Sequence, residues 1–265
     1  MRIALISDIH EDIESLKKAL AMIEREKCDQ IICLGDILGF PYSRAKYEKT
    51  RDAAACIDLI KRNCSDILLG NHDIFHLKKF PLYHNGFLFP PDWYQLSAEE
   101  KNSASNGKVW NYADDCPTLL DESDSFFLSH LPEFLIKSFG NHKVLFSHFV
   151  FPNFTGYVSS FYGEGKKLLD HFEFLDQNDC RVSICGHMHM EGMGIFNAPN
   201  DGLFSQLFPG FNYFSFGEKK IKNKVCTITI PALADNGQVN GFAIYDSNNL
   251  SINAVSLNTN RRFIL

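Results

Sequence analysis

The sequence lacks any apolar run near the about 20 residues that a membrane-spanning helix needs. Its first apolar stretch, Ile3 to Ile6, meets Asp8 too soon for the core of a signal peptide. Neither a membrane span nor a signal peptide is expected. Positive charge is also in short supply. Lys and Arg total 26 against 32 Asp and Glu, a net charge of -6. That balance argues against the basic surface that non-specific nucleic-acid binding requires, so no duplex binding is expected. The eight cysteines form no C-x-x-C pair and no regular spacing. They are read as reduced thiols of a cytoplasmic protein, with Cys33, Cys185 and Cys226 inside strand-like runs. No repeat, linker or low-complexity tract interrupts the 265 residues, so one domain over 1–265 is the simplest organisation.

What is present is an ordinary globular balance, 45% hydrophobic and 22% charged. Residues 2–7 form an apolar strand ending in Asp8-Ile9-His10. A helix over about Asp12–Lys27 has Ile13, Leu16, Leu20 and Ile23 on one stripe. A strand over Gln30–Leu34 ends in Gly35-Asp36, and a helix through Ala53–Ile60 leads to a short strand, Ile67–Leu69, ending in Gly70-Asn71-His72-Asp73. The β-α-β-α-β alternation implies right-handed parallel crossovers. Phe134–Phe139 and Lys143–Phe146 read as a hairpin that ends in Ser147-His148. The strand Arg181–Cys185 delivers His187 and His189, with Gly186 suited to a turn between them. Beyond Leu203 the chain is β-like, with strands expected at Val225–Ile230, Gly241–Tyr245 and Leu250–Val255.

In open α/β sheets, ligands bind beyond the carboxyl ends of the strands. Here five segments end in ligand-type residues: Asp8, His10, Asp36, Asn71, His72, His148, His187 and His189. Zinc, manganese and iron all accept mixed nitrogen and oxygen ligands. Eight such groups are too many for one tetrahedral ion and suit two ions with a shared carboxylate, because its two oxygens can reach both. In two-metal sites the ions sit ~3.5–4 Å apart.

The five motifs, in this order and spacing, resemble those of the calcineurin-like metallophosphoesterases. The Trp110 region with Leu131-Pro132 is similar to the middle of the bacterial small phosphodiesterase branch. The resemblance implies an α/β fold, a four-layer α/β/β/α sandwich. It implies two transition-metal ions, manganese, iron or zinc. Asp8, His10 and His189 would hold the first; Asn71, His148 and His187 the second; Asp36 would bridge. His72 would protonate the leaving group or stabilise charge, oriented by Asp73. The implied activity is hydrolysis of a phosphate-ester or nucleotide small molecule, with a bridging hydroxide as nucleophile. A nucleotide pyrophosphatase acting on dinucleoside polyphosphates is the alternative within enzymes, and a non-catalytic metal-binding scaffold the alternative outside them. The sequence departs from that branch around the phosphate: Glu11-Asp12 follow His10, Gly39-Phe40-Pro41-Tyr42 follow the bridging motif, and Ile230-Pro231-Ala232-Leu233 stand near the C-terminus.

Residues 75–130 stand apart. They are rich in aromatics, and Ser97-Ala98-Glu99-Glu100 is a capping box that starts a helix at Ala98. The segment is expected to be a mainly helical insert beside the site, with Phe75, Phe80 and Tyr83 shaping substrate access. His76, His84, His130, His142 and His171 are read as structural, and Glu11, Asp12 and Asp29 as helix-start or surface charges. The aromatic run Phe204, Phe208, Phe211, Tyr213, Phe214 and Phe216 is read as core or edge strand.

Overall fold

Strand β1 (Arg2–Ile6) shows how the sequence sets up the layers. Successive side chains of a strand alternate in direction. Ile3 and Leu5 therefore join a core between two sheets, while Ala4 and Ile6 join a second core under helices. This computed structural model describes residues 1–41, 50–158, 165–198, 210–222 and 225–257. Tyr42, Phe204 and Phe208 lie outside them.

After β1 come α1 (Ile13–Glu26), β2 (Gln30–Cys33), β3 (Phe40–Pro41), α2 (Ala53–Asn63), β4 (Asp66–Ile67) and α3 (Asn71–His76). A 3₁₀ turn (Trp93–Gln95), α4 (Ala98–Ser105), β5 (Asp115–Cys116) and α5 (Glu122–Ser129) follow. Then come β6 (Phe134–Phe139), β7 (His142–Ser147), α6 (Gly165–Gln177), β8 (Cys180–Met190), β9 (Met193–Asn197) and β10 (Gly210–Phe214). The last strands are β11 (Gly217–Lys220), β12 (Cys226–Pro231), β13 (Gly241–Asp246) and β14 (Ser251–Ser256). One six-stranded sheet runs β11-β14-β13-β1-β2-β4, and the other β10-β9-β12-β8-β7-β6. Strands β1, β2 and β4 are parallel, as are β7, β8 and β12, so their carboxyl ends gather at one rim.

The inner core is built by Ile3, Leu5 and Ile32 of one sheet against Val144, Phe146, Val182 and Ile184 of the other. Outside the first sheet, Leu16 and Ile23 of α1 and Ile57 and Ile60 of α2 pack on Ala4 and Ile6. Each such side chain contributes about 1.5–3 kcal/mol when fully buried. Outside the second sheet, Leu168, Phe172 and Leu175 of α6 cover Leu145 and Cys185. The helix–sheet–sheet–helix order is the expected sandwich. Asp12 caps α1 by accepting from Ser15 N–H, and Ser97 and Glu100 close the capping box of α4. The regular structure of 75–130 is helical apart from the two-residue β5, with long irregular stretches between. Strand β9 and the small β3–β5 ladder carry no sequence signal strong enough to have been expected.

Candidate metal centre

The rim is stitched together before any side chain is considered. Asp8 N–H donates to the Gly35 carbonyl, and Ile9 and His10 N–H both donate to the Asp36 carbonyl. This locks the end of β1 to the end of β2. Asp8, His10, Asp36, His187 and His189 all have positive φ, between 47° and 66°. Such conformations are uncommon for residues with a Cβ and cluster where structure over-determines them for function.

Gly186 does not make the turn proposed for it. Strand β8 continues through His187 and His189, and it is these two residues that take left-handed conformations. What Gly186 supplies is room: a Cβ there would stand 1.9 Å from Ser7 Oγ and 2.6 Å from Asp8 Oδ2. Gly70 does the same on the other side, where a Cβ would meet Asp36 Oδ1 at 2.1 Å.

All seven expected ligands converge, in two overlapping sets. In the first, His10 Nε2 faces His189 Nε2 at 3.0 Å, and His189 Nε2 faces Asp8 Oδ1 at 3.2 Å. In the second, His187 Nδ1 lies 2.9 Å from Asn71 Oδ1 and 3.3 Å from His148 Nε2. Asp36 Oδ2 stands between them, 3.1 Å from His148 Nε2 and 3.9 Å from His10 Nε2. Its other oxygen, Oδ1, accepts the His72 backbone N–H at 2.8 Å. Oδ2 is therefore the Asp36 oxygen that faces donors of both sets.

The spacing suits cations. Two donors ~2.1 Å from one ion and at right angles stand about 3 Å apart. Second contacts fix which nitrogens face inward. His10 Nδ1 donates to the Gly39 carbonyl at 2.7 Å, and His148 Nδ1 to the Leu34 carbonyl at 3.0 Å, which leaves each Nε2 lone pair for a ligand bond. The electrostatics are tightly balanced. Burial, then the neighbouring His72 and His189, lowers His10 to about 4. Burial, then His148, lowers His187 to about 3. Burial opposes charge on His148, yet Asp36 and Asp8 raise it to about 9. Burial also works against ionised Asp8 and Asp36, but the facing imidazoles hold both carboxyls well below the usual range.

His72 joins the cluster, its ring T-shaped to that of His10 with centroids 4.8 Å apart. The expectation that Asp73 orients it is not met. The Asp73 carboxylate accepts four backbone N–H bonds: Asp36 and Gly70 on Oδ2, Ile37 and Leu38 on Oδ1. Burial and the Asp36 charge raise Asp73 to about 6, against the pull of those bonds. The carboxylate on His72 is Asp115, with Oδ2 2.5 Å from His72 Nδ1 and 3.3 Å from His76 Nε2. Burial disfavours the Asp115 anion, but hydrogen bonds from His72 and His76 hold its pKa below the ordinary range. Burial likewise opposes charge on His72, and Asp36 and Asp115 outweigh it.

Asp115 belongs to no motif, and the β3–β5 pairing helps to bring it here. His76 joins it through Nε2. Tyr112 is a third residue without a sequence signal: its hydroxyl accepts from Asn71 Nδ2 at 3.1 Å, which aims Asn71 Oδ1 at His187. Glu11, read as a helix-start or surface charge, is buried. It accepts from Gly39 N–H and the Thr118 hydroxyl and faces Arg51 at 3.6 Å. Of the three aromatics expected near substrate, only Phe75 lies close, stacked on Tyr112. Phe80 stacks on Phe89 and Tyr94, and Tyr83 packs on Phe134 and Phe154, away from the ligands.

Residues 1–191 match the profile of the family described as calcineurin-like phosphoesterase. An uncharacterised protein of Methanocaldococcus jannaschii is 24% identical over 249 residues, covering 85% of this chain and 86% of that one. Among solved structures, a metallophosphoesterase from Sphaerobacter thermophilus superposes with a TM-score of 0.63 at 18% identity, over 97% of this chain and 87% of that one. A hypothetical protein from Pyrococcus horikoshii OT3 superposes with a TM-score of 0.55 at 12% identity, over 96% and 87%.

Proposed function

Because this chain belongs to the calcineurin-like phosphoesterase family, we propose that it hydrolyses its ester at a dinuclear centre held by Asp8, His10, Asp36, Asn71, His148, His187 and His189. Membership makes it a metal-dependent hydrolase of phosphoric esters. The observation that carries the dinuclear reading is the position of Asp36 Oδ2, which faces donors of both ligand sets. Asp8, His10 and His189 would hold one ion, and Asn71, His148 and His187 the other.

When bound, two such ions supply a hydroxide near neutral pH and neutralise the phosphoryl oxygens. The chain's own groups do the rest. His72 sits beside the centre with Nδ1 fixed by Asp115, so Nε2 is the nitrogen left to protonate the departing alkoxide. Asp115 and Asp36 both favour the imidazolium that must exist before that transfer. Asn236 completes the support of His189, with its amide 3.3 Å from Nδ1 and Oδ1 buried without a partner. Turned over, that amide would accept the Nδ1 proton and leave Nε2 for a ligand bond. Manganese, iron and zinc all suit this donor set. No helix among the described residues is long and apolar enough to cross a membrane. The eight free thiols support a reducing, cytoplasmic location.

The test is reconstitution with manganese followed by elemental analysis and a generic diester assay. Two ions per chain and turnover are expected. Asp36→Asn, which removes the anionic oxygen between the sets, should lose both ions together and all measurable turnover. Less than one ion per chain in the wild type would refute the dinuclear reading.

A further inference from the structure

Trp110 is a large aromatic of the insert that both lies against a metal-site histidine, His187, and stays partly exposed. Its ring lies edge-on to His187, centroids 6.1 Å apart, and the residue is 38% exposed. Tyr112, two residues on, has both faces taken, stacked by Phe75 at 4.3 Å and Tyr157 at 5.3 Å. Trp110 and Tyr112 line a cavity of about 100 Å³. Tyr112 is also the partner of Asn71, so the cavity shares a wall with the centre. The polar lining comes from Lys101 and Asn102 of α4 and from Asn111.

We propose that this cavity is the leaving-group subsite and that its occupant is the base of a nucleoside, stacked on Trp110 while the phosphate sits at the metal centre. The proposal rests on the phosphoesterase reading above and adds a substrate class to it. A planar ring is favoured because Phe75, Trp93, Trp110, Tyr112 and Tyr157 all line the space, and a ring can pack against aromatic side chains by stacking or edge contacts. A heterocycle is favoured over a plain aryl ring because two amides and an ammonium also line the space. An apolar ring would desolvate them without replacing their hydrogen bonds, whereas the edge heteroatoms of a base can pair with them. The platform is also preformed. Trp110 N–H donates to the Tyr157 carbonyl at 3.2 Å, and Val109 bridges to Val158, so the backbone at 109–110 is held against 157–158. A site that needs no ordering retains more of its stacking energy as affinity.

The experiment measures binding rather than turnover. Adenosine, uridine and benzyl alcohol are titrated calorimetrically into the full-length protein, once loaded with manganese and once stripped of metal. Wild-type protein is expected to bind at least one nucleoside saturably, in both forms, and benzyl alcohol at least tenfold more weakly. Base–aromatic stacking is worth enough that Trp110→Ala should weaken nucleoside binding roughly 5- to 150-fold. Trp110→Phe should recover part of the loss, which separates loss of the ring from damage to the fold, and far-ultraviolet circular dichroism checks that both variants are folded. Lys101→Ala should weaken the nucleoside more than benzyl alcohol. No nucleoside binding at millimolar concentration, or a folded Trp110→Ala variant that binds like the wild type, overturns the proposal. Equal binding of benzyl alcohol overturns the choice of a heterocycle. Nucleoside binding without hydrolysis of any ester would sink the catalytic reading and leave the subsite standing. Hydrolysis with no nucleoside binding would do the reverse.

Discussion

Replacing Asp73 separates a structural role from a catalytic one, and the structure supplies the magnitude. Its two oxygens accept four buried N–H groups at 2.8, 3.0, 3.0 and 2.9 Å, from Asp36, Gly70, Ile37 and Leu38. In Asp73→Asn the amide oxygen can keep one pair, while the NH₂ faces the other pair as a donor against donors. Each orphaned buried N–H costs about 1–3 kcal/mol, so the asparagine variant should lose about 2–6 kcal/mol. Asp73→Ala orphans all four and should lose about 4–12 kcal/mol, which is comparable with the whole stability of a domain, about 5–15 kcal/mol. At about 2–4 °C per kcal/mol, Asp73→Asn should melt about 4–24 °C below wild type, and Asp73→Ala should express poorly or unfold. The melt is followed by far-ultraviolet circular dichroism, metal-free and manganese-loaded. Metal affinity should fall along with stability, because the Asp36 backbone is one of the groups released. If Asp73→Asn melted within a degree of wild type and still lost turnover, the structural account would be wrong. Asp73 would then act on His72 after all.

Asp115→Asn should keep the metal content and slow turnover roughly 10- to 150-fold, the value of a hydrogen bond to a charged group of about 1.5–3 kcal/mol. The loss should be largest for esters with poor leaving groups, and an equal loss on nitrophenyl and alkyl esters would count against proton donation by His72. Gly186→Ala should force Ser7 and Asp8 apart, since its Cβ would stand 1.9 and 2.6 Å from their oxygens. A cost of about 1–3 kcal/mol is expected, as for overpacking, and weaker binding at the Asp8–His10–His189 set; unchanged manganese affinity would contradict this. His171 is buried, with Nδ1 accepting the Phe151 N–H, and burial lowers its pKa to about 3. The unfolded chain takes up a proton below about 6.5 and the folded chain does not, so stability is full above that pH and falls as pH drops towards 3. The slope approaches about 1.4 kcal/mol per pH unit. Denaturant titrations between pH 7 and 5 on wild type and His171→Gln should show a shallower dependence in the variant; parallel curves would sink the assignment.

The sequence by itself determined the parts that neighbours along the chain can write. The β-α-β-α-β rhythm, the apolar alternation of β1, the caps at Asp12 and Ser97 and the polar residues at strand ends are all local patterns. Parallel crossovers bring such strand ends to one rim, so the eight ligand-type residues were legible in the sequence, and the resemblance to a known family implied seven of them as metal ligands. The tertiary structure decided what depends on segments that meet from far apart. Asp115 stands 43 positions from His72 and reaches it through a two-residue ladder. Glu11 looked like a solvated charge and is buried because Gly39, Arg51 and Thr118 close over it. Asp73 and His72 are adjacent, yet α3 sends the carboxylate into the backbone of 36–38 and the imidazole towards Asp115. Even which oxygen of Asp36 faces both groups of histidines, Oδ2, goes with the His72 N–H that Oδ1 accepts. Periodicity fixes which face of an element a residue occupies. Which distant donor meets a carboxylate is set by packing of the whole, and no spacing rule along the chain encodes it.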